Sequence, residues 1–348
     1  MITIQQIADL AGVSRRTVDR VLKNRGDVKS ETRDKIEQIL KEYDYHPSVA
    51  AQGLAAWKKK FKIVFCSVRG TVCPIHEETR AGAYEKAEAL KGFGVTVDFL
   101  TFERDQRVPE REMGHILEEF SCDALAVVPV HMPEVEMVIE TAKSMEIPIL
   151  FYNLDDERFD RLCYIGCNYQ QSGRVAAGLA ALCTGDKGNI SIYSSRVLNS
   201  YSYQGRVDGF EKELADHYPQ MKILEKVMLE DDQEEYYHAI ERTKEQFPQL
   251  DLVYLVNPGD YHICEVVGNV FEQQKIRIIT NDLLEIQMDM LRRGTISATI
   301  SQEARRQGSL AIETLFNYLA YGKKPEQRYI YTDLSIYIGQ STYSMEII

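Results

Sequence analysis

The chain has 348 residues, 44 % of them hydrophobic and 27 % charged, with a net charge of −12. This composition is globular, excludes disordered and collagen-like chains, and at roughly 100–200 residues per domain calls for two or three domains. No apolar run reaches the roughly 18 residues of a bilayer span, and the opening MITIQQIADLAG does not read as a signal peptide, so a cytoplasmic protein with no membrane partner is expected. The seven cysteines, at 66, 73, 122, 163, 167, 183 and 264, form no C-x-x-C pair and read as reduced thiols. Cys163 and Cys167 bracket a YIG turn but lack the four ligands of structural zinc. Neither metal nor cofactor is expected. Residues 1–60 hold 12 Lys/Arg against 8 Asp/Glu, or +4, while the remainder, with 29 and 45, carries −16. A basic end on an acidic body suggests that only the first sixty residues approach a polyanion.

Three short helices are expected in residues 3–43. Thr3 and Gln6 have capping-box spacing ahead of Ile4, Ile7, Ala8 and Ala11, which repeat at helical spacing. Ala11-Gly12-Val13 reads as a tight turn. Ser14 is placed to cap a second helix with Val18, Val21 and Leu22 inward, and Ser30 a third with Ile36, Ile39, Leu40 and Tyr43 inward. Ala8, Gly12 and Val18 have the spacing of a helix-turn-helix. The outer face of the second helix carries Arg15, Arg16, Thr17 and Arg20, with Lys23 at its end. Two arginines in a first turn oppose the helix macrodipole, a local cost that fits reading guanine edges in a major groove. Residues 48–56 can form a short helix, but about nine residues including Gly53 are marginal alone.

From residue 61, apolar β-branched runs alternate with helical patterns: FKIVFCSV, VTVDFLTF, DALAVVPV and IPILFYN, then NISIYSS, MKILEKVML, LDLVYLVN, IRIITND and TISATIS. Such alternation means parallel sheets covered on both faces, and two successive series mean two lobes with ligand at the carboxyl ends of the strands. Polar residues at those ends are the candidate contacts: Asn153 and Asp155 after ILFY, Arg206 in QGRVDGF, Asn257 in LVNPGD, Asp282 in IITND and Gln302 after TISATIS. Carboxylates, amides and a guanidinium each engage two vicinal hydroxyls at once, as a sugar requires. The chain holds no G-x-x-x-x-G-K loop, G-x-S-x-G elbow or H-E-x-x-H, and no catalytic residue is assigned.

The run TIQQIADLAGVSRRTVDRVLKNRGDVKSETRDKIEQILKEYDYHPSVAAQGLA resembles the DNA-binding headpiece and hinge of the LacI/GalR family of bacterial transcription regulators. The body resembles the type I periplasmic sugar-binding proteins. The fold this implies is an α/β two-lobed periplasmic-binding-protein-like core with parallel sheets and three crossovers, preceded by an all-α helix-turn-helix headpiece and a hinge helix. The domains expected are a headpiece at 1–46, a hinge at 47–60 and an effector core at 61–348. One lobe takes about 61–165 plus 293–322 and the other about 166–290 plus 325–348, with crossings near 164–168, 289–295 and 321–326. The resemblance implies that Arg15 and Arg16 read bases. Thr3, Ser14, Thr17, Arg20, Lys23 and Tyr45 would touch phosphate or groove edge, and Ala51 and Leu54 of the hinge would enter the minor groove, Leu54 as a wedge. It also implies the strand-end set above as effector contacts, with His76 from the other lobe. The partners implied are a near-palindromic operator, a small carbohydrate effector and a second copy of the chain, as a dimer. Repression controlled allosterically by the effector is the expected function. The alternatives are a carbohydrate-active enzyme fused to a DNA-binding module, or a solute-binding protein. The one tryptophan, Trp57, lies at the hinge, which leaves His76, Tyr152 or no ring to stack on a sugar and points away from a simple neutral hexose.

Overall fold

The structure, a computed structural model, describes residues 2–22, 28–43, 59–70, 74–104, 106–195, 200–229, 232–257 and 261–343. The hinge helix, Trp57, and the expected DNA contacts Lys23, Tyr45, Ala51 and Leu54 lie outside the described residues. The chain divides into two compact units, Met1–Ala55 and Ala56–Ile348.

In the first unit, α1 (Ile4–Ala11) begins at a true capping box. The Thr3 hydroxyl accepts from the Gln6 N–H at 3.3 Å, and the Gln6 carboxamide accepts from the Thr3 N–H at 2.9 Å. Gly12 ends it at φ 71°, a left-handed conformation that costs glycine little. Ser14 Oγ accepts from the Thr17 N–H at 3.2 Å and starts α2 (Arg15–Leu22). Ile7, Ala8, Ala11, Val18, Val21 and Ile36 form the buried core, with Ile4, Leu22, Ile39 and Leu40 against it. Two expectations fail on α3 (Ser30–Glu42). Ser30 is its first helical residue rather than its cap; Lys29 holds the cap position and makes no side-chain cap bond. Tyr43 follows the last turn and is half exposed rather than inward.

The second unit holds two six-stranded sheets. The first contains β1 (Phe61–Arg69), β2 (Val95–Glu103), β3 (Ala124–Val127), β4 (Ile149–Tyr152), β5 (Tyr164–Gly166) and β11 (Tyr329–Tyr331), in the order β11-β5-β4-β3-β1-β2. All of its pairings are parallel. The second contains β6 (Gly188–Ser195), β7 (Met221–Leu229), β8 (Leu252–Asn257), β9 (Arg277–Asn281), β10 (Ala298–Ser301) and β12 (Ser335–Tyr337), in the order β12-β10-β9-β8-β6-β7. It is parallel except where β12 runs antiparallel to β10. The central strands β3, β4 and β8 are buried almost throughout, as strands covered by helices on both faces must be.

The first crossing falls where it was expected, near 164–168, and the other two do not. The first passes from Gly166 at the end of β5 to α7 (Tyr169–Thr184), which packs on the second sheet. The second was expected near 289–295. However, β10 pairs with β9, so residues 293–301 stay with the second lobe, and the passage lies between Ser301 and α12 (Ala304–Tyr321), which packs on the first sheet. The third was expected near 321–326. It lies between Tyr331 and Ser335, because β11 completes the first sheet beside β5. The YIG segment expected as a turn is β5 itself, a strand made by its neighbours rather than by length.

Each lobe contains one helix pair in backbone contact. In the first lobe, α4 (Ile75–Leu90) crosses α12. A Cβ on Gly82 would stand 1.8 Å from the Arg305 carbonyl oxygen, and one on Gly308 1.8 Å from that of Thr79. In the second lobe, α7 crosses α8 (Tyr201–His217). A Cβ on Gly173 would stand 2.0 Å from the Arg206 oxygen, and one on Gly209 2.0 Å from that of Gln170. Among the described residues no helix is long and apolar enough to cross a membrane, and no group of three His, Cys, Asp or Glu could hold a metal ion. Cys163 and Cys167 are buried thiols pushed up to about 12 by that burial.

Candidate functional site

The strand ends of both lobes converge on one buried polar cluster. Asn153 follows β4 at φ 62°, and Asp282 follows β9 at φ 75°. Tyr261, at φ 69°, opens α10 (His262–Val270), and Glu303, at φ 53°, follows Gln302. Left-handed backbone at non-glycine residues costs energy, and four of the eight such residues among the described ones fall here, where it sets the direction of the side chains.

The cluster is bonded residue to residue. Gln302 Nε2 donates to Asp282 Oδ1 at 2.6 Å, and the Tyr261 hydroxyl donates to Asp282 Oδ2 at 3.3 Å. Gln302 Oε1 accepts from Gln307 Nε2 at 3.2 Å and lies 3.3 Å from the Tyr169 hydroxyl, whose proton goes to the Asn153 carbonyl at 2.8 Å. Asn153 Nδ2 donates to Gln307 Oε1 at 3.1 Å and reaches Gln302 Oε1 at 3.5 Å. Arg206, 2 % exposed, projects from α8. Its Nη1 donates to Asn257 Oδ1 at 2.7 Å and to the Val256 carbonyl at 3.2 Å. Its Nη2 stands 3.9 Å from Asp282 Oδ1, and its guanidinium lies 4.8 Å from the Tyr169 ring centre. Among the described residues, Arg206 Nε, Arg206 Nη2 and Asn257 Nδ2 are buried without a hydrogen-bond acceptor. Three orphaned donors on one wall are expensive unless a ligand supplies the acceptors.

His76 enters from α4, buried, with Nδ1 at 3.2 Å from the Val68 carbonyl. A carbonyl only accepts, so the ring donates from Nδ1 and keeps Nε2 as an acceptor. Burial drives its pKa below the ordinary 6.5, against the pull of Val68, Asn153 and Asp282, so the ring is neutral at pH 7. A depressed folded pKa means the unfolded chain takes the proton first as pH falls. The stability due to a neutral His76 is therefore complete above pH 6.5 and declines below it, with a slope of at most about 1.4 kcal/mol per pH unit. Denaturant titrations between about pH 7.5 and about pH 5.5 should show a shallower decline for His76→Gln than for the native chain; equal slopes would mean His76 does not titrate this way.

Not every candidate joins the cluster. Asp155 instead pairs with the buried Arg161, whose Nη2 also reaches the Tyr329 hydroxyl at 3.3 Å. Tyr152, considered as a stacking ring, faces the sheet core. It is stacked on Phe65 at 4.5 Å, with its hydroxyl donating to the Cys66 carbonyl at 2.9 Å. Sequence reasoning missed Tyr169, Tyr261 and Gln307. Tyr169 and Gln307 lie in the first turns of helices that follow crossings, and the available signal was that position.

On the headpiece, Arg15, Arg16 and Arg20 are exposed along α2, while Val18 and Val21 on its other side are buried. Ser14 Oγ and Thr17 Oγ1 lie 2.9 Å apart at the start of that face. Thr3 is exposed but engaged in its capping box.

Two lobes of mostly parallel sheet meeting at one polar cluster, in a chain that also holds a helix-turn-helix unit, define a two-domain class in which a two-lobed α/β body follows a small all-α unit. Residues 74–324 match the periplasmic binding protein domain, and residues 3–48 match the bacterial regulatory proteins of the lacI family. The helix-turn-helix transcriptional regulator AscG of Escherichia coli is 28 % identical over 221 residues, 62 % of this chain and 62 % of that protein. Catabolite control protein A of Staphylococcus xylosus is 44 % identical over 55 residues, 16 % of this chain and 17 % of that protein. The chain thus aligns with less than two thirds of either relative. A solute binding protein of an ABC transporter from Burkholderia graminis, solved with D-arabinose, has a TM-score of 0.68 at 22 % identity, covering 82 % of this chain and 97 % of that one. The chain belongs to the periplasmic binding protein domain family, with a lacI-family regulatory domain at its N-terminus.

Proposed function

We propose that the protein is a cytoplasmic, homodimeric transcription regulator that represses by occupying a near-palindromic operator, and that a small carbohydrate bound between its lobes controls the operator affinity. The observation that carries the effector reading is the orphaned donor set on Arg206 and Asn257, placed against the Asp282–Gln302 pair. Those donors call for acceptor oxygens, and Asp282 accepts in return. A molecule with adjacent hydroxyls meets both needs at once. His76 and Asn153 would hold it from the first lobe, and Asp155 would stand at the rim. A ligand bridging both lobes favours their closed arrangement, and in a dimer that shifts the population of hinge spacings that fit DNA. No residue is assigned a catalytic role.

A carbohydrate library screened by thermal unfolding tests the effector class. A ligand at 100 times its dissociation constant adds about 2.7 kcal/mol, and a library in which no carbohydrate raises the melting temperature would defeat the reading. The DNA-reading face is tested by selecting bound duplexes from random sequence. A two-fold symmetric site is expected. Arg15→Ala and Arg16→Ala should each relax one base preference at a cost of about 1–3 kcal/mol. A uniform loss across all sequences would reduce these arginines to phosphate contacts.

A further inference from the structure

We infer that the site extends beyond one sugar ring, and that the effector is an uncharged disaccharide or glycoside whose second ring lies against a wall of tyrosines. This rests on the carbohydrate reading above. A groove of about 610 Å³ runs between the lobes beside the buried cluster, within the roughly 300–1,000 Å³ of small-molecule pockets. It is lined by the Asp155–Arg158 loop and by β11 from one lobe, and by the first turns of α7 and α8 from the other. Tyr169 joins the two places. Its ring lies under Arg206, its hydroxyl donates to the Asn153 carbonyl at 2.8 Å, and it also lines the groove.

The groove's far wall is aromatic. Tyr329 and Tyr331 lie two residues apart on β11, so they share a face, and their rings are stacked with centres 5.9 Å apart at 21°. Tyr201, edge-on to Tyr169 at 5.7 Å, faces the same space from α8. Aromatic rings pack against the C–H face of a pyranose, and Tyr331 is the more open ring of the pair, since Tyr329 also carries Arg161 over its ring and on its hydroxyl. Gln204 Nε2 donates to Asp208 Oδ1 at 2.6 Å on the opposite lip, an amide–carboxylate pair able to engage neighbouring hydroxyls. The charge around the groove selects against an acidic or phosphorylated sugar. Asp155 and Asp156 are matched by Arg161 and Arg158, leaving Glu157 and Asp208 in excess on the lining.

The test titrates the full chain by calorimetry with glucose, galactose and fructose, and with maltose, cellobiose, lactose and sucrose. At least one disaccharide should bind tenfold or more tighter than either of its constituent sugars. Tyr331 is 47 % exposed, so Tyr331→Ala should fold. It should erase most of that tenfold gain while leaving monosaccharide affinity unchanged, and Gln204→Ala should act in the same direction. Tyr331→Phe should retain the gain. Disaccharides binding no tighter than their parts, or Tyr331→Ala weakening both lengths alike, would overturn the groove while sparing the carbohydrate reading. No binding by any sugar of either length would overturn both.

Discussion

Gly82→Ala and Gly308→Ala are each expected to destabilise the second unit by about 3 kcal/mol, the upper part of the range for overpacked interiors. The added carbon would meet a backbone oxygen at 1.8 Å, and a backbone oxygen on a facing helix has no rotamer into which to withdraw. The helices must part, and the first lobe's core under α12 must loosen with them. At roughly 2–4 °C per kcal/mol for a domain of this general size, melting should fall by about 6–12 °C. Gly173→Ala and Gly209→Ala should behave alike in the second lobe, and the first of these would also press on the backbone that carries Arg206. Two internal controls exist. A Cβ on Gly114 or Gly178 meets nothing within 4 Å, and both are helical. Alanine there should be neutral or stabilising by about 0.5–1 kcal/mol. Since Gly178 shares α7 with Gly173, the two variants separate helix propensity from crossing distance on one element. Equal melting temperatures for them would show that the crossing does not depend on glycine.

Arg206→Lys should bind the effector found in the carbohydrate screen about tenfold to over a hundredfold more weakly. A hydrogen bond to a charged group contributes about 1.5–3 kcal/mol, and about 1.4 kcal/mol is tenfold. Lysine keeps a cation beside Asp282 but loses the planar fork that reaches Asn257 and the Val256 carbonyl together. Arg206→Ala should add a folding penalty of about 3 kcal/mol. That is the low end for breaking a buried charge pair, because Asp282 keeps its donors from Gln302 and Tyr261. Operator binding by either variant without effector should be close to native, since the substitution lies in the other compact unit. Undiminished effector affinity in Arg206→Lys would remove this residue from the site, and would count against Asn257 and Asp282, which share its bonds.

The long parallel strands were legible in the sequence because burial on both faces leaves a run such as LVYLV with no polar break. The candidate contacts were legible for a related reason. In a parallel sheet the carboxyl ends lie on one side, so the first polar residue after each run arrives at a common place, and Asn153, Asn257, Asp282 and Gln302 do so. Asp155 fitted the same pattern, but Arg161, six residues on, captures it across a loop whose path has no periodicity to read. The three-residue strands β5, β11 and β12 carry no signal of their own, since such segments are strands only through the partners they find. The misplaced crossings follow from that. ATIS of β10 reads as a strand in either lobe, and only its pairing with β9 assigns it. Tyr261 was out of reach because its direction depends on a left-handed turn that the sequence assigns to no tyrosine.

The interleaved ends of the two sheets also set an order in time. The second lobe, except for β12, is made of residues contiguous in the chain, whereas the first waits for α12 and β11, which are synthesised only after β10 of the second. Between synthesis of Gly166 and of Tyr331, at roughly 5–20 residues per second, the growing chain spends on the order of ten to thirty seconds with the edge of β5 unpaired and the glycine face of α4 uncovered. The lobe begun first therefore stays open while nearly all of the second is made, and its unpaired strand edge is the part of the nascent protein with most need of a chaperone.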